Sequence, residues 1–370
     1  MTTSAQKAAL PMTLPQPKAG ILDIKPYIGG EGRVEGIAHP IRLASNENAL
    51  GCSPKAREAY LKAGADLQRY PDGSAAELRA ALGKKYDMNP DHIICGSGSE
   101  ELIALLIRAY AGPGDEVIYS QYGFLMYPLC TRSVGATPVA VPEIDFRTDI
   151  EGILKAVTPR TKMLLLANPN NPTGSYLKRD EMKYLFEKLP ANILVLLDSA
   201  YAEFVQEKDY DDGKSLVDAH PNAVMLRTFS KIYGLAALRL GWGYCSPEIV
   251  GVVNRVRGAF NVNAPAQAAG VAALGDHEFL SKTIEMTNTG RKYLQDQLSS
   301  LGIRHWPSAG NFLLASFGDR AEEVRLALKD KGVFIRQMGA YNLPQHLRIT
   351  VGTAFDNEGL ITALKNIVKA

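Results

Sequence analysis

Three apolar, strand-like runs each end in a polar motif, and that repeated pairing constrains the fold more than any other feature of the chain. KMLLLA (162–167) leads into NPNNPTG (168–174), NILVLL (192–197) into DSAYAEF (198–204), and VMLRTF (224–229) into SKIYGLAALRLGW (230–242). Short continuous apolar runs of this kind read as strands buried on both faces. Helical patterns such as YLKRDEMKYLFEKL (176–189) lie between them, so the strands belong to a mostly parallel sheet covered by helices. In open α/β sheets, ligands bind outside the carboxyl ends of the strands. Three polar motifs at three such ends therefore point at one crevice.

The alternation extends from about 52 to 265, through HIIC, EVIYS, TPVAV, GWGYC and the helical SEELIALLIRAY (99–110). After NAPAQAA comes a long helical stretch, 276–301, then NFLLASF, GVFIRQM and HLRITV as short strands with a helix between. The expected fold class is α/β: a large domain at 52–265 with a mostly parallel sheet sandwiched by helices, and a smaller α+β domain at 266–370. Residues 1 to about 20 read as a disordered or docking arm.

Composition narrows the class further. With 370 residues, 46% hydrophobic, 22% charged and a formal net charge of +2, the chain reads as an ordinary soluble globular protein. It has no basic patch to suggest nucleic acid. Cys52, Cys95, Cys130 and Cys245 are scattered without C-x-x-C spacing and the six histidines form no ligand cluster, so reduced thiols, a cytoplasmic location and no metal are expected. The first twenty residues are too short in apolar length and too poor in basic charge for a secretory signal, and no later segment reaches membrane-spanning length.

The third motif places Lys231 between Ser230 and a downstream arginine, Arg239. A lysine amine can condense with the aldehyde of pyridoxal phosphate, while Ser230 by its hydroxyl and Arg239 as a planar bidentate cation could hold the phosphate. A protonated pyridine ring needs an anion beside its nitrogen, which Asp198 can supply. Its phenolic oxygen needs hydrogen-bond donors, for which Asn171 and Tyr201 are suitable. Singly, each motif has a plainer reading: a surface lysine, a turn, a helix cap. Their order along the chain favours the cofactor.

On these residues the chain resembles the fold-type I pyridoxal-phosphate aminotransferases, and within that superfamily the histidinol-phosphate aminotransferase family. The resemblance runs over nearly the whole chain: KPYIGG, SNENALG, RYPDG, ICGSGSEEL, FLMY, NPNNPTG, DSAY, SKIYGLAALRLGW and LRITVG. ALG stands where the family usually has PLG, and GSGSEE where it often has GNGSDE. Aromatic amino-acid aminotransferases and threonine-phosphate decarboxylase share most of these motifs. A non-catalytic regulator of this fold would usually carry an added winged-helix module, for which the residues before the large domain are too few.

The resemblance implies transamination of L-histidinol phosphate with 2-oxoglutarate, with Lys231, Asp198 and Tyr201 catalytic. It places Ser99 and Glu100 at a helix start facing the cofactor phosphate, and Phe124 of FLMY against the ring. Tyr70 of RYPDG is expected to reach the phosphate from the other subunit of a homodimer with shared active sites. Arg348 matches the superfamily arginine that clamps a carboxylate. Arg336, Tyr27 and Asn48 are the further substrate-binding candidates, with Asn46 and Glu47 at the border of the pocket. The resemblance also implies that residues 1–51 contribute an arm and part of the small domain.

Overall fold

The computed structural model describes residues 15–18, 20–32 and 39–368. The expected arm at 1–20 lies mostly outside them.

All seven strand-like runs of the middle region become strands of one sheet: β2 (Ile93–Gly96), β3 (Glu116–Ser120), β4 (Thr137–Val141), β5 (Thr161–Ala167), β6 (Leu194–Asp198), β7 (Ala223–Thr228) and β8 (Gly241–Cys245), in the order β2-β8-β7-β6-β5-β3-β4. β3 to β7 run parallel, whereas β8 is antiparallel to both neighbours. The chain between β7 and β8 makes a tight excursion, closed by Phe229 N donating to Leu240 O at 3.0 Å, instead of a helical crossover. An antiparallel pair follows from that connection.

Period-two alternation gives the sheet two cores. On β6, Val195 and Leu197 face a cluster with Leu78 and Leu82, while Leu194 and Leu196 face one with Leu102 and Leu106. These come from α2 (Ala76–Tyr86) and α3 (Ser99–Tyr110); α1 (Pro54–Ala63) joins the first layer through Ala56. The helix expected over 176–189 is shorter, Arg179–Lys188, because Lys178 pairs with Tyr210 as a bridge and its N–H is taken by Glu181 Oε2 at 2.8 Å.

The second sheet has the order β1-β10-β11-β9, from β1 (Ile41–Leu43), β9 (Phe312–Ser316), β10 (Val333–Gln337) and β11 (His346–Thr350). β1 adds in parallel to the edge strand β10, so residues just past 43 are carried toward the large sheet. The expected boundary at 265/266 falls inside helix Ala264–Leu274. That helix packs Ala266, Ala269 and Ala273 into the core shared with α1 and α2, and so belongs with the large sheet. Its run of small residues lets the helices approach closely, which an apolar-stripe argument does not detect. The next helix, His277–Ser300, joins the two halves: Leu280 and Ile284 pack against the large core, Leu294 and Leu298 are buried in the small one.

Two helix starts are tied together at this junction. Ser53 Oγ accepts from Ala56 N at 3.2 Å and donates to Asp276 Oδ2 at 2.6 Å. Asp276 Oδ1 in turn caps Phe279 N at 3.3 Å. The Ser53 hydrogen bond holds the Asp276 carboxyl below its usual range, so its stabilising contribution is present at neutral pH and is lost as pH falls through the depressed value. Asp276→Ala is expected to lower stability by roughly 1–2 kcal/mol, the usual cost of a lost cap, read from the urea midpoint. An unchanged midpoint would remove the shared cap from the stability of the junction.

Candidate active site

The carboxyl ends of β5, β6 and β7 open into one cavity of about 220 Å³. Asp198, Tyr201, Asn171, Ser230, Lys231, Arg239, Ser99, Glu100, Phe124, Tyr27, Arg336 and Arg348 all line it.

Asp198 ends β6, paired with Ala167 on one side and Leu226 on the other. Its Oδ2 accepts from Tyr127 Oη at 2.9 Å, while Oδ1 is buried with no partner. Burial pushes the carboxyl up to about 6, opposed by the Tyr127 hydrogen bond, the nearby Ala200 backbone N–H and the Lys231 charge. An orphaned carboxylate oxygen in a cavity wall is costly unless something charged or donating meets it. Lys231 Nζ lies 5.8 Å from the Tyr201 ring centroid and 3.4 Å from the Ser45 carbonyl oxygen. Burial, helped by the Arg348 and Arg239 charges, brings this amine down to about 8. The Tyr201 hydroxyl accepts from Asn46 Nδ2 at 3.0 Å, and burial pushes the phenol up to about 12.

An anion cradle forms the far end. Gly98, just before α3, has φ 86° and ψ 159°, a region essentially reserved for glycine, and a Cβ there would lie 2.8 Å from Arg239 Nη2. A Cβ on Gly241 would lie 2.2 Å from the Ser99 nitrogen. The two glycines thus let the helix start, the guanidinium and strand β8 close together. Arg239, itself left-handed at φ 50°, reaches Ala236 O at 3.1 Å and Ser230 Oγ at 3.4 Å. A helix N-terminus, a hydroxyl and a guanidinium bordering one recess suit a phosphate.

The second sheet supplies two more cations. Arg336 and Arg348 are direct partners in the β10–β11 register, so their side chains share one face of an antiparallel pair. Arg348 is buried; it donates to Asn171 Oδ1 at 2.6 Å and Ala44 O at 2.9 Å, and its Nε has no partner. Arg336 lies 5.8 Å over the Tyr27 ring and donates to Ile28 O at 2.6 Å. Burial, then the Arg336 charge, draws the Arg348 pKa down against the nearby tyrosines. Like charges placed opposite each other destabilise the pair unless an anion joins them.

Three expected residues fall elsewhere, among them Glu47, which does not line the cavity it is expected to border. Asn48 does not face the cavity: its Nδ2 donates to Ile232 O at 2.9 Å and its Oδ1 accepts from Leu50 N at 3.0 Å. It braces the lysine loop instead. Asn46 takes the cavity position, because its left-handed φ of 53° breaks the strand alternation that would aim both asparagines alike. Tyr70 is 83% exposed, stacked on Phe260 at 4.7 Å, and lies outside its own chain's cavity. Tyr127, inside the FLMY motif and three residues after Phe124, is a buried side-chain partner of Asp198 that the motif alone does not single out.

The lowered Lys231 amine has a measurable consequence. In ligand-free protein, its modification by an amine-directed reagent should rise with a midpoint near pH 8, where peptide mapping follows it. A midpoint at the ordinary lysine value of 10.5 would mean that the amine is not desolvated.

The chain belongs to the class I and II aminotransferase family, which matches residues 38–367. Within that family it stands with the histidinol-phosphate aminotransferases. It is 48% identical to that of Paramagnetospirillum magneticum, over 97% of this chain and 100% of the relative, and 48% identical to that of Rhodospirillum centenum with the same coverage. Among solved structures it is similar to the histidinol-phosphate aminotransferase of Sinorhizobium meliloti in complex with pyridoxal-5'-phosphate, at TM-score 0.89, 29% identity, and coverage of 97% of this chain and 99% of that one. No helix among the described residues is long and apolar enough to cross a membrane.

Proposed function

We propose that this chain transfers the amino group of L-histidinol phosphate to 2-oxoglutarate, giving imidazole acetol phosphate and L-glutamate, a step of histidine biosynthesis. The observation that carries the reading is the opposed pair Arg336 and Arg348 lining the same cavity as Lys231 and Asp198. A substrate carboxylate needs one guanidinium fork; a dianionic phosphate suits two. The proposed setting is the cytoplasm.

The residues fit pyridoxal phosphate. The orphaned Asp198 Oδ1 suits a protonated ring nitrogen, the glycine-lined cradle of Ser99, Glu100, Ser230 and Arg239 suits the phosphate, and Phe124 offers a flat apolar wall. With its carbonyl on Arg348, Asn171 keeps its amide nitrogen as a donor for the ring oxygen, beside the Tyr201 hydroxyl. When bound, the cofactor supplies an aldehyde that condenses with amines and a ring that accepts an electron pair from the adjoining carbon. The Lys231 amine holds the cofactor at rest. Released by the substrate amine, Lys231 would be placed to take the proton from the substrate α-carbon and deliver it to the carbon on the other side of the substrate nitrogen, a shuttle for which an amine titrating near 8 is matched to neutral pH. Asp198 keeps a negative charge beside the ring, and the cation facing it offsets the cost of its burial. Arg348 meets a phosphate in one half-reaction and the glutamate carboxylate in the other. The large domain, extended to include helix Ala264–Leu274, is assigned to the cofactor, and the small sheet with β1 to the substrate anion.

Arg336→Ala should weaken histidinol phosphate by roughly ten- to a hundredfold, the scale of a lost charged contact, and glutamate much less. Half-reaction kinetics with each donor decide this. Equal losses on both, or a wild-type preference for phenylalanine or tyrosine, would move the reading to an aromatic aminotransferase.

Tyr70 is exposed within one chain, beside an exposed Phe260, and is proposed to complete the phosphate site of a second copy in a homodimer. Mixing a strongly impaired Tyr70→Phe variant with Lys231→Ala should then restore activity, since a heterodimer would contain one intact site. Absence of recovery despite demonstrated subunit exchange counts against sharing.

A further inference from the structure

The turn after β4 carries two adjacent residues in the left-handed backbone region, Asp145 at φ 46° and Phe146 at φ 61°. Neither is glycine, and a bulky aromatic there is a conformational outlier. Such strain persists where surrounding contacts over-determine it. The turn is closed by reciprocal Ile144 and Arg147 backbone hydrogen bonds of 2.9 and 3.0 Å, and its tip reaches across to the small-sheet half. The Phe146 ring stands edge-on to Trp306, centroids 4.5 Å apart at 71°, and to His346 at 5.2 Å and 63°. Asp145 Oδ1 accepts from Trp306 Nε1 at 3.0 Å and from Arg304 at 3.3 Å.

These partners lead directly to Arg348. His346 opens β11 two residues earlier, and strand alternation puts both on one face. Trp306 N donates to Leu314 O at 3.2 Å, and Leu314 is the β9 partner of Arg348 in the register. The turn therefore grips both strands that set the position of the guanidinium. Beside it, Phe146, Trp306 and Gly174 border a separate cavity of about 330 Å³. The seam is open on that side, while on the other Phe146 packs with Tyr122 and Leu125 against the buried cluster of Trp306, Leu314 and Met338, so the turn adds directional contacts to an apolar seam.

We propose that Asp145 and Phe146 form an interdomain clasp that positions Arg348 over the active-site cavity, an inference that rests on the reading of Arg348 as a substrate-binding residue. Neither clasp residue lines the active-site cavity, so both act through β9 and β11. The clasp should govern the substrates that meet Arg348 and leave the cofactor cradle, built wholly on the large sheet, as it is.

The test uses holoenzymes of Asp145→Gly and Phe146→Ala, with Arg348→Ala alongside. Asp145→Gly removes the carboxylate and relieves the left-handed strain, which partly offsets the lost Trp306 and Arg304 bonds, so the variant should remain folded with only a modest fall in Tm. Its KM for both histidinol phosphate and 2-oxoglutarate should nevertheless rise about tenfold, the scale of a misplaced positioning group, with the dissociation constant for pyridoxal phosphate unchanged. Phe146→Ala should move the same constants in the same direction. Unchanged KM values in Asp145→Gly, or cofactor affinity falling in parallel, would overturn the clasp. If Arg348→Ala itself left KM unaltered, the substrate reading of the site would fail; a raised KM in Arg348→Ala with none in the clasp variants would sink the clasp alone.

Discussion

A carboxylate buried at the end of the central strand, with one oxygen committed to Tyr127 and the other to nothing, is the constraint around which the rest is arranged. Sheet pairing on both sides fixes the backbone of Asp198, and burial with the Tyr127 bond holds its side chain away from water. Burial raises this acid and lowers the amine of Lys231, moving each toward neutrality. The same desolvation therefore readies both: the acid for a cation that would restore its charge, the amine for attack at moderate pH.

A second ionic group holds that arrangement from behind. Arg227, one residue before Thr228 on β7, is buried on the opposite face of the sheet, donating to Glu203 at 3.0 Å and to Asp212 and lying 4.9 Å over the Tyr86 ring. Burial alone would weaken its hold on the proton, but Glu203, Tyr86 and Asp212 raise it and keep the guanidinium charged. Glu203 sits two residues after Tyr201. Tyr233, two after Lys231, bonds Tyr86 at 2.7 Å. The network thus ties the tyrosine loop to the lysine loop beneath the cavity. Removing one member would strand a buried charge, which costs far more than the pair contributes.

The large sheet and most of the cavity were legible in the sequence because each apolar run ended in its own polar motif. Lys231, Asp198, Ser230 and Arg239 follow from that adjacency, and all line the cavity. What was not legible depends on backbone twists or distant partners. The exchange of Asn48 for Asn46 turns on one left-handed residue, and the domain boundary was hidden in a helix of small residues with no apolar stripe. The contact of Asp145 with Trp306 joins residues 161 positions apart, and no local pattern announces it.

The division of labour between the sheets explains why the two halves must be held in register. Groups assigned to the cofactor come from strand ends of the large sheet; the guanidiniums assigned to the substrate anion come from β10 and β11. Asn171 belongs to the first set, yet its carbonyl accepts from Arg348 of the second at 2.6 Å, and Ala44, carried in by β1, accepts from the same guanidinium. One amide thus faces both duties. The Arg348 bond fixes which end of the amide each sheet meets: the carbonyl faces the guanidinium, and in the proposed chemistry the nitrogen is left for the cofactor oxygen. The arginine need not give up that bond to meet an anion, because its Nε is buried without a partner. An incoming anion would supply the acceptor that the folded chain leaves out.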